Sequence, residues 1–174
     1  MLLLKVFVLV VLLLIFVQDI RSRSVYWFLF PLLAGLFVTT GIFQHGSFFN
    51  IGETASISCC FLVTQYLLVS LYFSVKNRKW INITTELLGW GDILLLLSVT
   101  LYLSVLNLVF FYMASLIGSM MTWLIWQSLV KGKNKHIPLA GLQAIFLSIF
   151  LIIDWYWLRL NLTDDAWILN LIYK

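Results

Sequence analysis

Residues Ile93 to Val130 read ILLLLSVTLYLSVLNLVFFYMASLIGSMMTWLIWQSLV, 38 residues without one charged side chain. A helix that crosses a bilayer needs about 20 apolar residues. The run is too long for one crossing and slightly short for two, so a tight turn is expected near Ser104–Asn107. The charges on either side argue for the same turn. Lys76, Arg78 and Lys79 precede the run, and Lys131, Lys133 and Lys135 follow it. Lys and Arg gather in cytoplasmic loops. Both basic segments lie on that side only if the run crosses twice.

The whole chain has the same character. Of its 174 residues, 63% are hydrophobic and 10% are charged, against about 45–50% and about 25% in a soluble domain. The mean hydropathy is +1.04. These figures exclude a soluble globular enzyme, a disordered chain and a nucleic-acid binder. They leave no room for a separate soluble domain, so residues 1–174 are read as one membrane domain. The fold class is all-α, a polytopic bundle of about six transmembrane helices.

The spans are expected at Leu2–Val17, Val25–Phe43, Ala55–Val75, two between Ile93 and Val130, and Leu139–Leu158. Lys5 is close enough to the end of the first span to snorkel. That span lacks a basic segment before Leu2 and a small-residue cleavage site after Val17, so it reads as a mature span and not as a signal peptide. Residues 159–174 are too polar to span. The part with Trp167, Leu169, Ile172 and Tyr173 suits the interface. Pro31 could kink the second span, and Pro138 suits the start of the last. Trp80 and Trp155–Trp157 suit aromatic belts. Asn82–Leu88 suits a short helix on the membrane surface.

Eight of the eleven basic residues fall in the first, third and fifth loops. Those loops are therefore assigned to the cytoplasm and both termini to the outer side. The protein is expected in a prokaryotic cytoplasmic membrane, its basic loops against anionic headgroups.

Seven acids are present, and two stand apart. Asp19 directly follows the first span and Asp92 directly precedes the fourth, so the topology brings both to the cytoplasmic edge. A carboxylate at that depth is costly unless it is paired, solvated or used. Asp19 alone reads as a loop residue beside Arg21 and Arg23, and Asp92 alone as an acid favoured at a helix start. Asp92 is, however, preceded by Gly89-Trp90-Gly91, and glycines there permit close approach. Two carboxylates at close range cannot both ionise easily, and one shared proton makes an acid–base pair that activates water.

Three segments carry a resemblance to a known family. Asp19-Ile20-Arg21-Ser22-Arg23-Ser24-Val25, Gly89-Trp90-Gly91-Asp92 with Ile93-Leu94-Leu95, and Ile137-Pro138-Leu139-Ala140 resemble segments of type IV prepilin peptidases and archaeal preflagellin peptidases, within the GxGD membrane aspartic proteases. Order and span layout extend the likeness over nearly the whole chain. The resemblance implies an aspartic endopeptidase with Asp19 and Asp92 as catalytic residues and Gly89 and Gly91 as support. It also implies cleavage, at the cytoplasmic face, of prepilin-like substrates that carry a basic leader, usually ending in glycine, before an apolar helix. Tyr26 and Trp27 stand where the family often has Pro and then Asn or Asp, and Leu94 stands in place of a lysine. The cytoplasmic domain with paired cysteines, linked to N-methylation in bifunctional members, has no counterpart here, so that activity is not expected.

Two other readings stay open: a GxGD protease that cuts another membrane substrate, and a non-catalytic or transport protein with a peptidase-like fold. Cys59 and Cys60, adjacent in an apolar run, suggest neither a disulfide nor zinc. His45 and His136 are not spaced as metal ligands, and no metal, cofactor or nucleic-acid partner is expected. Asp154 is expected at the outer interface near Arg159. Glu53 suits a helix start and Glu86 a solvated loop. Thr39, Thr40, Gln65 and Asn107 are expected to bond between helices.

Overall fold

A computed structural model of the chain describes residues 1–22, 24–45, 48–77, 89–129, 138–158 and 162–172. Every regular element among them is helical: α1 (Leu2–Ser22), α2 (Leu29–His45), α3 (Phe48–Asn77), α4 (Trp90–Val99), α5 (Val105–Leu129), α6 (Leu139–Ile152) and α7 (Ala166–Ile172). A π-helical stretch, Ile153–Leu158, continues α6.

The core is drawn from one stripe on each helix. On α1 it is Val8, Val11, Leu12 and Ile15; on α4, Leu95, Leu96 and Val99; on α6, Ala140, Ala144, Leu147 and Leu151. These spacings of three and four residues line one helix face. The opposite faces stay apolar but open, as at Leu13, Leu14, Leu67, Leu68, Leu71, Met121 and Leu124. Apolar surface on that scale has no place in water. Four helical segments are long and apolar enough to cross a membrane: Leu2–Ser22, Gly52–Lys76, Val105–Ser128 and Leu139–Trp157. The chain is thus an all-helical bundle of membrane type. In α3 only 6% of the spanning window is buried, so that helix lies largely outside the core.

The turn inside the 38-residue run exists, slightly earlier than expected. Ten-residue α4 ends at Val99, having risen about 15 Å, half of a hydrocarbon core. Tight bonds from Leu101 N–H to Ser98 O and from Tyr102 N–H to Val99 O then close the chain back. The Ser104 carbonyl accepts the first bond of α5, from Leu108 N–H at 2.8 Å. Asn107 therefore lies within α5 and not in the turn.

Other expectations change in detail. Pro31 is in the first turn of α2, where its missing N–H has no helical partner to lose, and it produces no break in the helix. The Thr39 and Thr40 hydroxyls donate to carbonyls of their own helix, at Leu36 and Phe37, and Gln65 Oε1 is buried without a partner. Asn107 does reach across: its Nδ2 donates to Ser104 Oγ, Leu162 O and Asp164 O, while its Oδ1 accepts from Trp167 Nε1. The Ser104 hydroxyl donates to Asp165 Oδ1, and Leu106 N–H donates to the same oxygen. The tail is thereby fastened over the turn, and Trp167 packs edge-on against Phe110.

Trp155 is a buried group and not a belt anchor. Its Nε1 donates to the Tyr102 hydroxyl at 2.8 Å, that hydroxyl donates to Gln44 Oε1, and Lys5 Nζ lies 5.0 Å from the centre of its ring. Asp154 beside it, in the π-helical stretch, is buried as well. The contact of Lys5 with Trp155 brings the start of α1 and the end of α6 to one end of the bundle. Trp80, Asn82–Leu88, Arg159 and the basic residues of the third and fifth loops, other than Lys76, lie outside the described residues, as do Arg23, Glu86, His136 and the side chain of His45.

Candidate functional site

At the other end of the bundle, α1 finishes, α4 begins and α6 begins. Asp19 continues the buried stripe of α1, following Val8, Leu12 and Ile15 at helical spacing, and is buried with them. Asp92 likewise opens the stripe of α4 that continues through Leu95, Leu96 and Val99. The two carboxylates are buried because each occupies a core-facing position, not because a loop folds over them.

Both meet the first turn of α6. Pro138 stands at its N-cap and has no side-chain cap bond, so the free N–H groups of that turn need partners from elsewhere. Asp19 supplies one: its Oδ2 accepts the Gly141 N–H at 2.6 Å. The Ala140 N–H lies close to the carboxylate of Asp92, so the two acids meet adjacent residues of one turn. Asp19 sits at the unfavourable C-terminal end of its own helix dipole, and the N-terminal end of α6 offsets this. Asp92 also reaches back over its own helix start, where Oδ2 accepts the Gly89 N–H at 3.0 Å.

Glycines permit these approaches to different degrees. A Cβ at Gly141 would lie 3.0 Å from Asp19 Cβ and 3.1 Å from its Oδ2. One at Gly89 would lie 3.3 Å from Asp92 Oδ2. One at Gly91 would meet Ala140 Cβ at 3.6 Å and Phe30 Cζ at 3.7 Å, which is ordinary contact. Gly89 has φ −68° and ψ 147°, backbone that any residue adopts. The glycine that sets the site geometry is therefore Gly141, which the motif reading passed over. Its only sequence signal is its place in the first turn after Pro138. The Ser98 hydroxyl of α4 lies 3.1 Å from the Phe30 carbonyl of α2 and 2.9 Å from the Leu94 carbonyl of its own helix.

Tyr112 of α5 is a second residue that the sequence does not mark. It lines an apolar cleft of about 310 Å³ between α3, α4 and α5, with Cys59, Leu62, Tyr66, Trp90 and Ile93 among the other lining residues. Trp90 and Ile93 belong to the same first turn of α4 as Asp92, and neither acid lines the cleft.

Among the described residues no group of three or more His, Cys, Asp and Glu is placed to hold a metal. The arrangement offers two neighbouring carboxylates and backbone donors that orient them. Such a set can carry acid–base chemistry. No family model matches the chain, no curated protein matches it, and no solved structure matches it.

Proposed function

We propose that the chain is a membrane aspartic endopeptidase that removes basic leaders from prepilin-like proteins. The observation that carries this reading is the convergence of Asp19 and Asp92, distant in sequence, on the first turn of α6. In the proposed reaction one carboxylate is ionised and the other protonated, as expected for neighbouring acids. The ionised carboxylate takes a proton from water as its oxygen bonds to the scissile carbonyl carbon, and the neutral acid protonates the carbonyl oxygen. Collapse of that intermediate breaks the C–N bond. The proton first taken from water passes to the leaving nitrogen, and the carbonyl oxygen returns its own to the other carboxylate. The apolar lining of the cleft between α3, α4 and α5 suits the apolar helix of the substrate.

The reading includes six membrane crossings with α2 and short α4 counted among them, both termini outward, and the acid pair at the cytoplasmic face of a prokaryotic inner membrane. Support comes from the basic loops and from the shared end of Lys5 and Trp155. The partners are then the bilayer and a pilin-like substrate.

The test is co-expression with a membrane substrate built of a basic leader, a glycine and an apolar helix. The wild type shortens it at the glycine, whereas Asp19→Asn and Asp92→Asn accumulate at normal levels and leave it intact. Retained cleavage in either variant refutes the assignment. The two helix-end bonds, to Gly141 and to Gly89, also favour a second reading in which both acids only cap helices in a non-catalytic protein. Wild-type chain that leaves every such substrate uncut decides for it.

A further inference from the structure

Gln143 is fully buried, and neither Oε1 nor Nε2 has a hydrogen-bond partner. It stands on the core-facing stripe of α6, whose other members Ala140, Ala144, Leu147 and Leu151 are all apolar. A buried carboxamide with neither group paired costs stability, and a leucine in its place would not. The position is informative. Gln143 follows Ala140 by three residues, so it shares a helix face with it one turn deeper in the bundle. Ala140 is the residue whose N–H lies against Asp92 and whose Cβ faces Gly91. Gly141, which follows Ala140, binds Asp19. The same first turn of α6 thus carries both acids and leads directly to an unpaired donor and acceptor.

We infer that Gln143 is a positioning residue of the acid pair, holding through its carboxamide the water that the pair activates. The inference rests on the endopeptidase reading above. Oε1 accepts a hydrogen bond from that water, which directs an oxygen lone pair toward the scissile carbonyl carbon. Gln143 itself gains and loses no proton. Orientation of a reactant acts on the chemical step and not on capture of the substrate helix, so its loss lowers kcat and spares KM.

The experiment compares wild type, Gln143→Leu, Asp19→Asn and Asp92→Asn, each purified in lipid nanodiscs, on a synthetic substrate with a basic leader, a glycine and an apolar helix. The expected result for Gln143→Leu is a melting temperature equal to or above wild type, kcat lowered at least fivefold, and KM within twofold. A purely structural glutamine does not give that split. Gln143→Met, unbranched and close in length, replaces the leucine variant if the latter does not fold. A kcat within fivefold of wild type overturns the inference while inactive aspartate variants leave the endopeptidase reading standing. A fall confined to KM overturns it also. Active aspartate variants, or a wild type that cuts nothing, overturn both.

Discussion

Replacing Gly141 by alanine separates the geometry of the site from the stability of the fold. The new Cβ would lie 3.0 Å from Asp19 Cβ, 3.1 Å from Asp19 Oδ2 and 3.2 Å from the Phe16 carbonyl oxygen. All three approaches are too short for relaxed contact, and two of the three atoms belong to the acid. Two effects on stability oppose each other. Overpacking of this kind costs about 1–3 kcal/mol, while exchanging glycine for alanine in a helix gains at most about 1 kcal/mol. The net of these two effects is a loss of about 0–2 kcal/mol, before the weakened Asp19 bond is added. The effect on the site is larger. Moving Asp19 away lengthens the 2.6 Å bond to the Gly141 N–H, a bond to a charged group worth about 1.5–3 kcal/mol. It also shifts the carboxylate relative to Asp92, and an error of about 1 Å in a reacting group costs about 100-fold in rate. The expected outcome is a fall of about 10- to 100-fold in leader removal, with the melting transition kept. Initial rates on a leader–glycine–helix substrate and a thermal melt in the same detergent measure the two quantities. A rate within twofold of wild type would refute the argument that close packing of α6 on α1 positions Asp19.

The motif glycines give a graded contrast: Gly91→Ala, with contacts of 3.6 and 3.7 Å, keeps most activity, and Gly89→Ala falls between it and Gly141→Ala in the same rate assay. Asn107→Leu removes two donated bonds and one accepted bond that fasten the tail, at Leu162, Asp164 and Trp167. It is expected to cost about 2–4 kcal/mol at about 1 kcal/mol per bond, read as a lowered melting temperature with the rate per folded molecule unchanged. On the endopeptidase reading, cleavage is expected to follow a bell-shaped pH dependence, because one acid must be ionised and the other protonated. A rate that rises monotonically across the acid range would contradict the pair. In a variant without Cys59 and Cys60, single cysteines at Ser24 and Thr163 label from opposite sides of intact spheroplasts and inverted vesicles; labelling from one side removes the six-crossing topology.

Much of the fold is legible in the residues alone because the bilayer imposes so few solutions. Long uncharged runs such as Ile93–Val130 become helices, since no water is present to satisfy an open backbone, and the excess of length over one span requires a turn. The turn is earlier than the polar residues suggest because Asn107 is not there to break the helix. It serves the tail, through bonds to Leu162, Asp164 and Trp167 that no local pattern contains. Pro31 and Trp155 mislead for a related reason. A proline is costly or harmless according to its turn, and a tryptophan is belt or core according to what faces it, here Tyr102 and Lys5.

Asp19 and Asp92 are legible as a pair because apolar helices are so poor in acids that two at one depth stand out. Helical spacing also marks both as core-facing. Gly141, Tyr112 and Gln143 are different. Gly141 is marked only by its place after Pro138, Gln143 only as a polar residue in an apolar stripe, and Tyr112 by nothing along the chain. Their meaning arises from packing across helices: α6 starts against the end of α1, α4 starts against the same turn, and α5 lies across the cleft from α3. The sequence by itself determined a helical membrane chain with two acids at a common level, since hydropathy and charge are properties of single residues and their order. The tertiary structure alone decided which backbone groups hold those acids and which glycine lets them approach, because distances between helices depend on how their faces interlock.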